Sequence, residues 1–263
     1  MYPTLWQFGT LVLPTWHVLF LVACVASFFL LRRLSKVYQS QYLPLISNLY
    51  ICAYGGALLG GRLLSVIVEN DHFEFSQIWT FSSLTLYGGF LGAVLFTSVY
   101  IFIKGLPIRV FWDLMIPPFL LGLAIGRIGC FLNGDDFGIA VEADAQDHFP
   151  WWATSFPNHP QPVPRMPVQI IESATSLTLA VLLSFFFKNL QKLHLGLVGS
   201  IGVLAYAVER FFLEFYRDDF RGWLLAEKIS TSQGISLLLA GTILSFYAFR
   251  SYKYFRVRLR LVT

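Results

Sequence analysis

Gly126-Arg127-Ile128-Gly129-Cys130-Phe131-Leu132-Asn133-Gly134 sets an arginine near the end of an apolar run, Val110 to Leu132, that is long enough to cross a bilayer. A charge in the hydrocarbon region costs a few kcal/mol, so Arg127 needs an internal partner or a ligand. An anionic lipid headgroup is one such ligand.

The rest of the chain fits that reading. Of its 263 residues, 56% are hydrophobic and 13% charged, and the mean hydropathy is +0.62. Soluble domains carry about 25% charged residues. Phe alone accounts for 26 residues, with 7 Trp and 12 Tyr besides, as expected of lipid-facing helices with aromatic ends. The basic residues form short clusters beside apolar runs rather than one stripe, which argues against nucleic acid as a partner. Cys24, Cys52 and Cys130 are an odd number without disulfide or metal-ligand spacing, so no metal is expected; no cofactor is expected either. The first basic cluster follows the first apolar run, so no cleavable signal peptide is expected.

Seven apolar runs approach the ~20 residues that a membrane helix needs. They are Leu11–Leu31, Tyr42–Val68, Leu84–Ile103, Val110–Leu132, Val168–Phe187, Leu195–Phe215 and Ile229–Phe249. The expected fold is an all-α polytopic membrane protein, a single domain over residues 1–263. Arg32, Arg33, Lys36, Lys104, Arg109, Lys188, Lys192, Arg250, Lys253, Arg256, Arg258 and Arg260 all follow odd-numbered runs, twelve of the 19 Lys and Arg. The alternate loops carry Glu69, Asp71, Glu74, Asp135, Asp136, Glu142, Asp144 and Asp147. Positive loops face the cytoplasm, which puts the N-terminus outside and the C-terminus inside. Residues 133–167, with Pro150, Pro157, Pro160, Pro162, Pro164, Pro167, Trp151 and Trp152, then form a small outer-face lobe.

Several ionisable residues fall within or at the ends of the runs: Arg62, Arg127, Glu172, Glu209, Arg210 and Glu214. Arg210, Glu214 and Arg217 are spaced i, i+4, i+7, which puts them on one face of the sixth helix. In the outer half, Arg127, Arg210 and Arg217 outnumber Glu172 and Glu214, so a mobile anion is the expected missing partner. Gly129, Gly134 and Gly138 flank the end of the fourth helix, where freed N–H groups can bind an oxyanion. Gly56-x-x-x-Gly60, Gly88-x-x-x-Gly92 and Gly122-x-x-x-Gly126 read as close-packing sites between helices, and Cys130 reads as a packing residue.

Five ordered motifs carry a resemblance. They are the Gly126–Gly134 stretch extended to Gly138, Gly60-Gly61-Arg62, Tyr87-Gly88-Gly89-Phe90-Leu91-Gly92, Pro167-Val168-Gln169-Ile170-Ile171-Glu172, and Arg210-Phe211-Phe212-Leu213-Glu214-Phe215-Tyr216-Arg217. Together they resemble the bacterial prolipoprotein diacylglyceryl transferases nearly end to end. Three positions depart from the family pattern: Tyr87 stands for His, His17 for Tyr and Cys130 for Asn. Met166 also replaces a His. An imidazole and a phenol are thereby exchanged between the first and third spans.

The resemblance implies an inner-membrane enzyme that moves a diacylglyceryl group from phosphatidylglycerol to the lipobox cysteine of a preprolipoprotein. A thioether forms and glycerol phosphate leaves. Arg127 and Arg210 are expected to stabilise the phosphate, and His17 or Tyr87 to accept the thiol proton. Asn133, Gly134, Gly138, Gln169, Glu172, Glu214 and Arg217, together with Arg127, are expected to bind substrate. Two alternatives stand beside this: a related lipid transferase with a different acceptor, and a non-catalytic phospholipid-binding membrane protein. A transporter is disfavoured, because no inverted repeat is visible.

Overall fold

The computed structural model describes residues 2–8, 11–69, 85–143, 148–156, 163–218, 223–224 and 229–260. Asp71, Glu74, Asp144, Asp147, Pro157, Pro160 and Pro162 lie outside them, as do the side chains of Tyr87 and of the basic residues past Tyr252.

Eight helices carry the described fold: α1 (Thr15–Tyr38), α2 (Ile46–Glu69), α3 (Leu86–Ile103), α4 (Ile108–Asn133), α5 (Val168–Phe185), α6 (Phe187–Leu193), α7 (Leu197–Leu213) and α8 (Thr231–Arg260). A 3-10 turn, Ser40–Leu45, leads into α2, and another, Glu214–Tyr216, extends α7. Three antiparallel pairs are added: β1 (Thr4–Phe8) with β2 (Leu11–Pro14), β3 (Thr154–Ser155) with β4 (Pro164–Arg165), and β5 (Trp223–Leu224) with β6 (Ile229–Ser230).

Five of these segments are long and apolar enough to cross a membrane: Thr15–Tyr38, Ser40–Ile67, Ile108–Asn133, Val168–Phe185 and Thr231–Arg250. The protein is therefore a polytopic membrane protein. Large apolar side chains such as Phe185, Leu238 and Phe249 stand exposed on these helices, as a lipid environment permits.

The seven expected runs are modified in three places. The run from Leu11 opens as a strand, and helix begins only after Pro14, whose missing N–H suits a helix start. The third run yields an apolar helix, Gly88–Ile103, that is shorter than a full span among the described residues. The sixth run is preceded by α6, and the pair α6 and Leu197–Tyr216 bends by 109° at His194–Gly196. Counting that pair as one span gives six.

The chain divides into two compact units, residues 31–114 and residues 1–30 with 115–263. In the first, α2 and α3 touch through glycines. A Cβ on Gly60 would lie 2.8 Å from Gly92 Cα, and one on Gly88 would lie 2.6 Å from Leu64 Cβ. Its core is Leu31, Ile46, Leu49, Val66, Phe111 and Leu114, all fully buried. In the second, Ser27 on α1 donates to Pro118 O on α4 at 2.9 Å, and Trp16 and Leu19 of α1 pack on Gly129. Gly202 of α7 leaves room for Ile116, Leu120 and Leu183.

Candidate active site

At the end of α4, Gly134 adopts φ 89°, the left-handed conformation that glycine tolerates and that stops helices. Its N–H and that of Asp135 both return to Cys130 O, at 2.9 and 3.0 Å. The chain past this cap runs between two other segments. Gly138 N–H donates to Met166 O at 3.1 Å, Met166 N–H to Ile139 O at 3.0 Å, and Ile139 N–H to Tyr216 O at 2.9 Å. A Cβ on Gly138 would sit 2.6 Å from Met166 O and 2.7 Å from Tyr216 O, so only glycine fits there. Arg165 ties the three segments together. Its Nη1 donates to Gly138 O at 3.1 Å and pairs with Asp218, and its guanidinium lies 5.0 Å from the Phe137 ring.

These elements carry one continuous network of charge. The inner face of α5 is polar: Gln169, Glu172, Ser173 and Ser176 are all buried, at i, i+3, i+4, i+7. Glu172, 0% exposed, is the centre. Its Oε2 lies 3.0 Å from Arg127 Nε on α4 and 3.7 Å from Arg210 Nη1 on α7. Its Oε1 accepts from Tyr206 Oη at 3.1 Å. Arg210 Nη2 pairs with Glu214 Oε2 at 3.0 Å, and Glu214 Oε1 accepts from Ser230 Oγ at 2.8 Å. On the other side, Arg127 Nη1 pairs with Asp136 Oδ2 at 2.6 Å, while Arg217 Nη2 pairs with Asp136 Oδ1 at 3.0 Å. Arg127, Arg210 and Arg217 are thus joined through Glu172 and Asp136.

Three cations concentrated at the end of apolar helices suit the binding of an anion with several oxygens. Among the described residues, neither Arg127 Nε nor Arg210 Nη1 makes an aligned hydrogen bond, although both lie within ion-pair range of Glu172. Both atoms face the same Glu172 oxygen, which neutralises them without an aligned hydrogen bond.

Residues 3–249 match the family described as prolipoprotein diacylglyceryl transferase. The chain belongs to that family. The match takes in every member of the charged network. The phosphatidylglycerol–prolipoprotein diacylglyceryl transferase of Cupriavidus necator is 32% identical over 74% of this chain and 72% of its own. Those of Leptothrix cholodnii and a Janthinobacterium species are 29% and 27% identical, over 78% and 89% of this chain and 78% and 91% of their own.

Within this diacylglyceryl transferase family member, the residues singled out in the sequence separate into groups. Arg127, Arg210, Arg217, Glu172 and Glu214 come together. Asn133 and Gln169 converge on Asp135 instead. The Asn133 amide donates to the Asp135 carboxylate, and Gln169 Nε2 donates to Asp135 O at 2.6 Å. His17 is exposed on the first turn of α1, its ring edge-on to Trp16 at 5.3 Å. It makes no hydrogen bond or ion pair with the network among the described residues. Tyr87 is the second residue of α3, and its side chain lies outside the described residues. Cys130 Sγ lies 4.0 Å from Arg127 Nη1.

Three expectations are corrected. The arginines do not outnumber their partners, because Asp136 joins Glu172 and Glu214 to make three carboxylates for three guanidinium groups. Arg217 is not on the helix face of Arg210. Helix gives way to a 3-10 turn at Glu214, Arg217 is extended, and it reaches the network through Asp136. The N–H groups of Gly134 and Gly138 are not freed for an oxyanion, since each is bonded to a backbone carbonyl. Their part is to end α4 and to let three segments meet.

Sequence reasoning missed Asp136, Tyr206 and Arg165. Tyr206 had a usable signal, one turn ahead of Arg210 on the same helix face. In the sequence Asp136 reads only as a loop acid. Its bond to Arg127 depends on the turn at Gly134 and on φ 60° at Asp136 itself.

Proposed function

We propose that this family member transfers a diacylglyceryl group from phosphatidylglycerol to the lipobox cysteine thiol of a preprolipoprotein. The observation that carries the reading is the linked set Arg127, Arg210 and Arg217, buried in a chain matched to the family from residue 3 to 249. The names of its relatives support the substrates. In the reaction the cysteine sulfur bonds to the terminal glyceryl carbon of the lipid, and that carbon's bond to the phosphate oxygen breaks. Glycerol phosphate leaves with the bonding pair, and the thiol proton passes to a base.

Charge accumulates on the departing phosphate, so fixed cations in a dry site lower the barrier. Arg127 and Arg210 are assigned that role, with Arg217 supporting. Glu172 holds Arg127 and Arg210 in place, and Glu214 steadies Arg210. Asn133, Gly134, Gly138 and Gln169 shape the backbone around the site. The proton acceptor is assigned to His17 or Tyr87, an imidazole being the commonest general base among side chains. Charge asymmetry of the loops supports seven spans in the bacterial inner membrane, N-terminus outside, with residues 133–167 as an outer-face lobe.

The test is purified protein in detergent with phosphatidylglycerol and a lipobox peptide, the peptide being weighed by mass spectrometry. The expected mass gain is one diacylglyceryl group. Arg127→Gln should reduce the rate at least about a hundredfold, on the scale of losing one transition-state donor. His17→Phe should abolish transfer, whereas loss only in Tyr87→Phe makes the phenol the acceptor. Wild-type protein that binds phosphatidylglycerol but never modifies the peptide would instead favour a binding protein. Modification of some other acceptor would favour a related transferase.

A further inference from the structure

We propose that Asp136 is a built-in stand-in for phosphate, a carboxylate that holds Arg127 and Arg217 together in the resting enzyme and swings away when a phosphate ester enters. The proposal rests on the phosphate reading of the arginine network. Asp136 uses its two oxygens on two different guanidinium groups, Oδ2 on Arg127 Nη1 at 2.6 Å and Oδ1 on Arg217 Nη2 at 3.0 Å. Two oxygens of a phosphate would make the same bridge.

The other carboxylate at Arg127 is differently placed. Glu172 projects from mid-helix, is 0% exposed, and also engages Arg210 and Tyr206. Fully buried and held by three groups from two neighbouring helices, it is the permanent counter-ion. The Asp136 side chain is 25% exposed and projects from a single left-handed residue, φ 60°. Its flanks are tied down: Asp135 N–H donates to Cys130 O at 3.0 Å and Gly138 N–H to Met166 O at 3.1 Å. Rotation about the Cα–Cβ bond therefore withdraws the carboxylate without moving the backbone. Of the two acids, Asp136 is the one that an entering anion displaces. The network then stays neutralised when empty and gains the phosphate without unfolding any element.

The displacing group is a phosphate ester, either the diester of the lipid or the glycerol phosphate that leaves. The experiment compares wild type and Asp136→Asn in dodecyl maltoside micelles. Phosphatidylglycerol in mixed micelles is one arm, soluble glycerol phosphate the second, and diacylglycerol without phosphate the control. Asparagine keeps the size but no longer competes as an anion. The variant should bind phosphate ligand about tenfold more tightly, the effect of one charge-assisted contact freed from competition, with diacylglycerol unaffected. Asp136→Glu, which keeps the charge, should stay within about twofold of wild type.

Tighter binding in either arm supports the proposal and identifies the ester to which Asp136 yields. Equal or weaker binding in both arms by a folded Asp136→Asn protein overturns it and leaves the phosphate reading intact, because wild type still binds. If neither protein binds either ligand, the phosphate reading fails and the proposal with it. Should Asp136→Asn not assemble, Asp136→Gly suits the left-handed backbone, also lacks the carboxylate, and carries the same expectation.

Discussion

The α2–α3 pair and the α4–α5–α7 cluster solve the same problem, helix association in an apolar setting, by opposite means. In α2–α3 side chains are removed: Gly56, Gly60, Gly88 and Gly92 let two backbones touch. In the cluster side chains are added: α4, α5 and α7 are cross-linked by Arg127, Glu172, Tyr206 and Arg210. The glycine contact is made of dispersion between backbones and tolerates no added atom. The ionic contact is directional, and each of its groups depends on the next. Packing of the first kind is inert toward ligands. The second sets guanidinium groups beside one another, which is why chemistry is assigned to that cluster.

The sharpest challenge to this contrast is Glu172→Gln. The amide keeps the shape but leaves Arg127 and Arg210 without their shared anion, at a cost of about 3–5 kcal/mol. A strongly lowered melting temperature in detergent and loss of peptide modification are expected. A variant melting with wild type would mean that the network is not what joins these helices. Next in size is Gly60→Ala. The new Cβ, 2.8 Å from Gly92 Cα, meets backbone that cannot swing aside. Thermal unfolding should show a loss of about 1–3 kcal/mol, the usual range for overpacking. Unchanged melting would break the steric account of α2–α3. Smallest is Ser27→Ala, which deletes the buried bond to Pro118 O between α1 and α4. The expected loss is about 1 kcal/mol, and a larger one would show that α1 depends on that bond more than on the contacts of Trp16 and Leu19 with Gly129.

Legibility in the sequence followed the range of the interaction. The glycine pairs were readable as packing sites because a four-residue spacing on each helix is all that a close approach needs. Arg127 and Arg210 were readable because a charge in an apolar run demands a partner wherever that partner is. The partner Asp136 was not readable, because it sits past a helix cap in a loop and no spacing links it to Arg127 or Arg217. The i, i+4, i+7 spacing misplaced Arg217 because it assumed that helix continued through Glu214. A backbone turning to pair with residues 137–139 ended it sooner. The break at Gly196 was likewise invisible to hydropathy, which averages over a left-handed residue without registering it.

Composition and the order of apolar runs determined, by themselves, that this is a multi-pass membrane protein, and the resemblance of its motifs pointed to the diacylglyceryl transferase family. Apolar length and local spacing act within one helix, so one-dimensional information suffices for them. Tertiary structure alone decided that Glu172 and Asp136 join the three arginines, that Gly138 is a spacer between two carbonyls, and that His17 packs edge-on to Trp16 without a bond to that network among the described residues. Those facts depend on which helix faces and loop backbones meet across the fold, and close-packed geometry between distant segments is written in no single stretch of sequence.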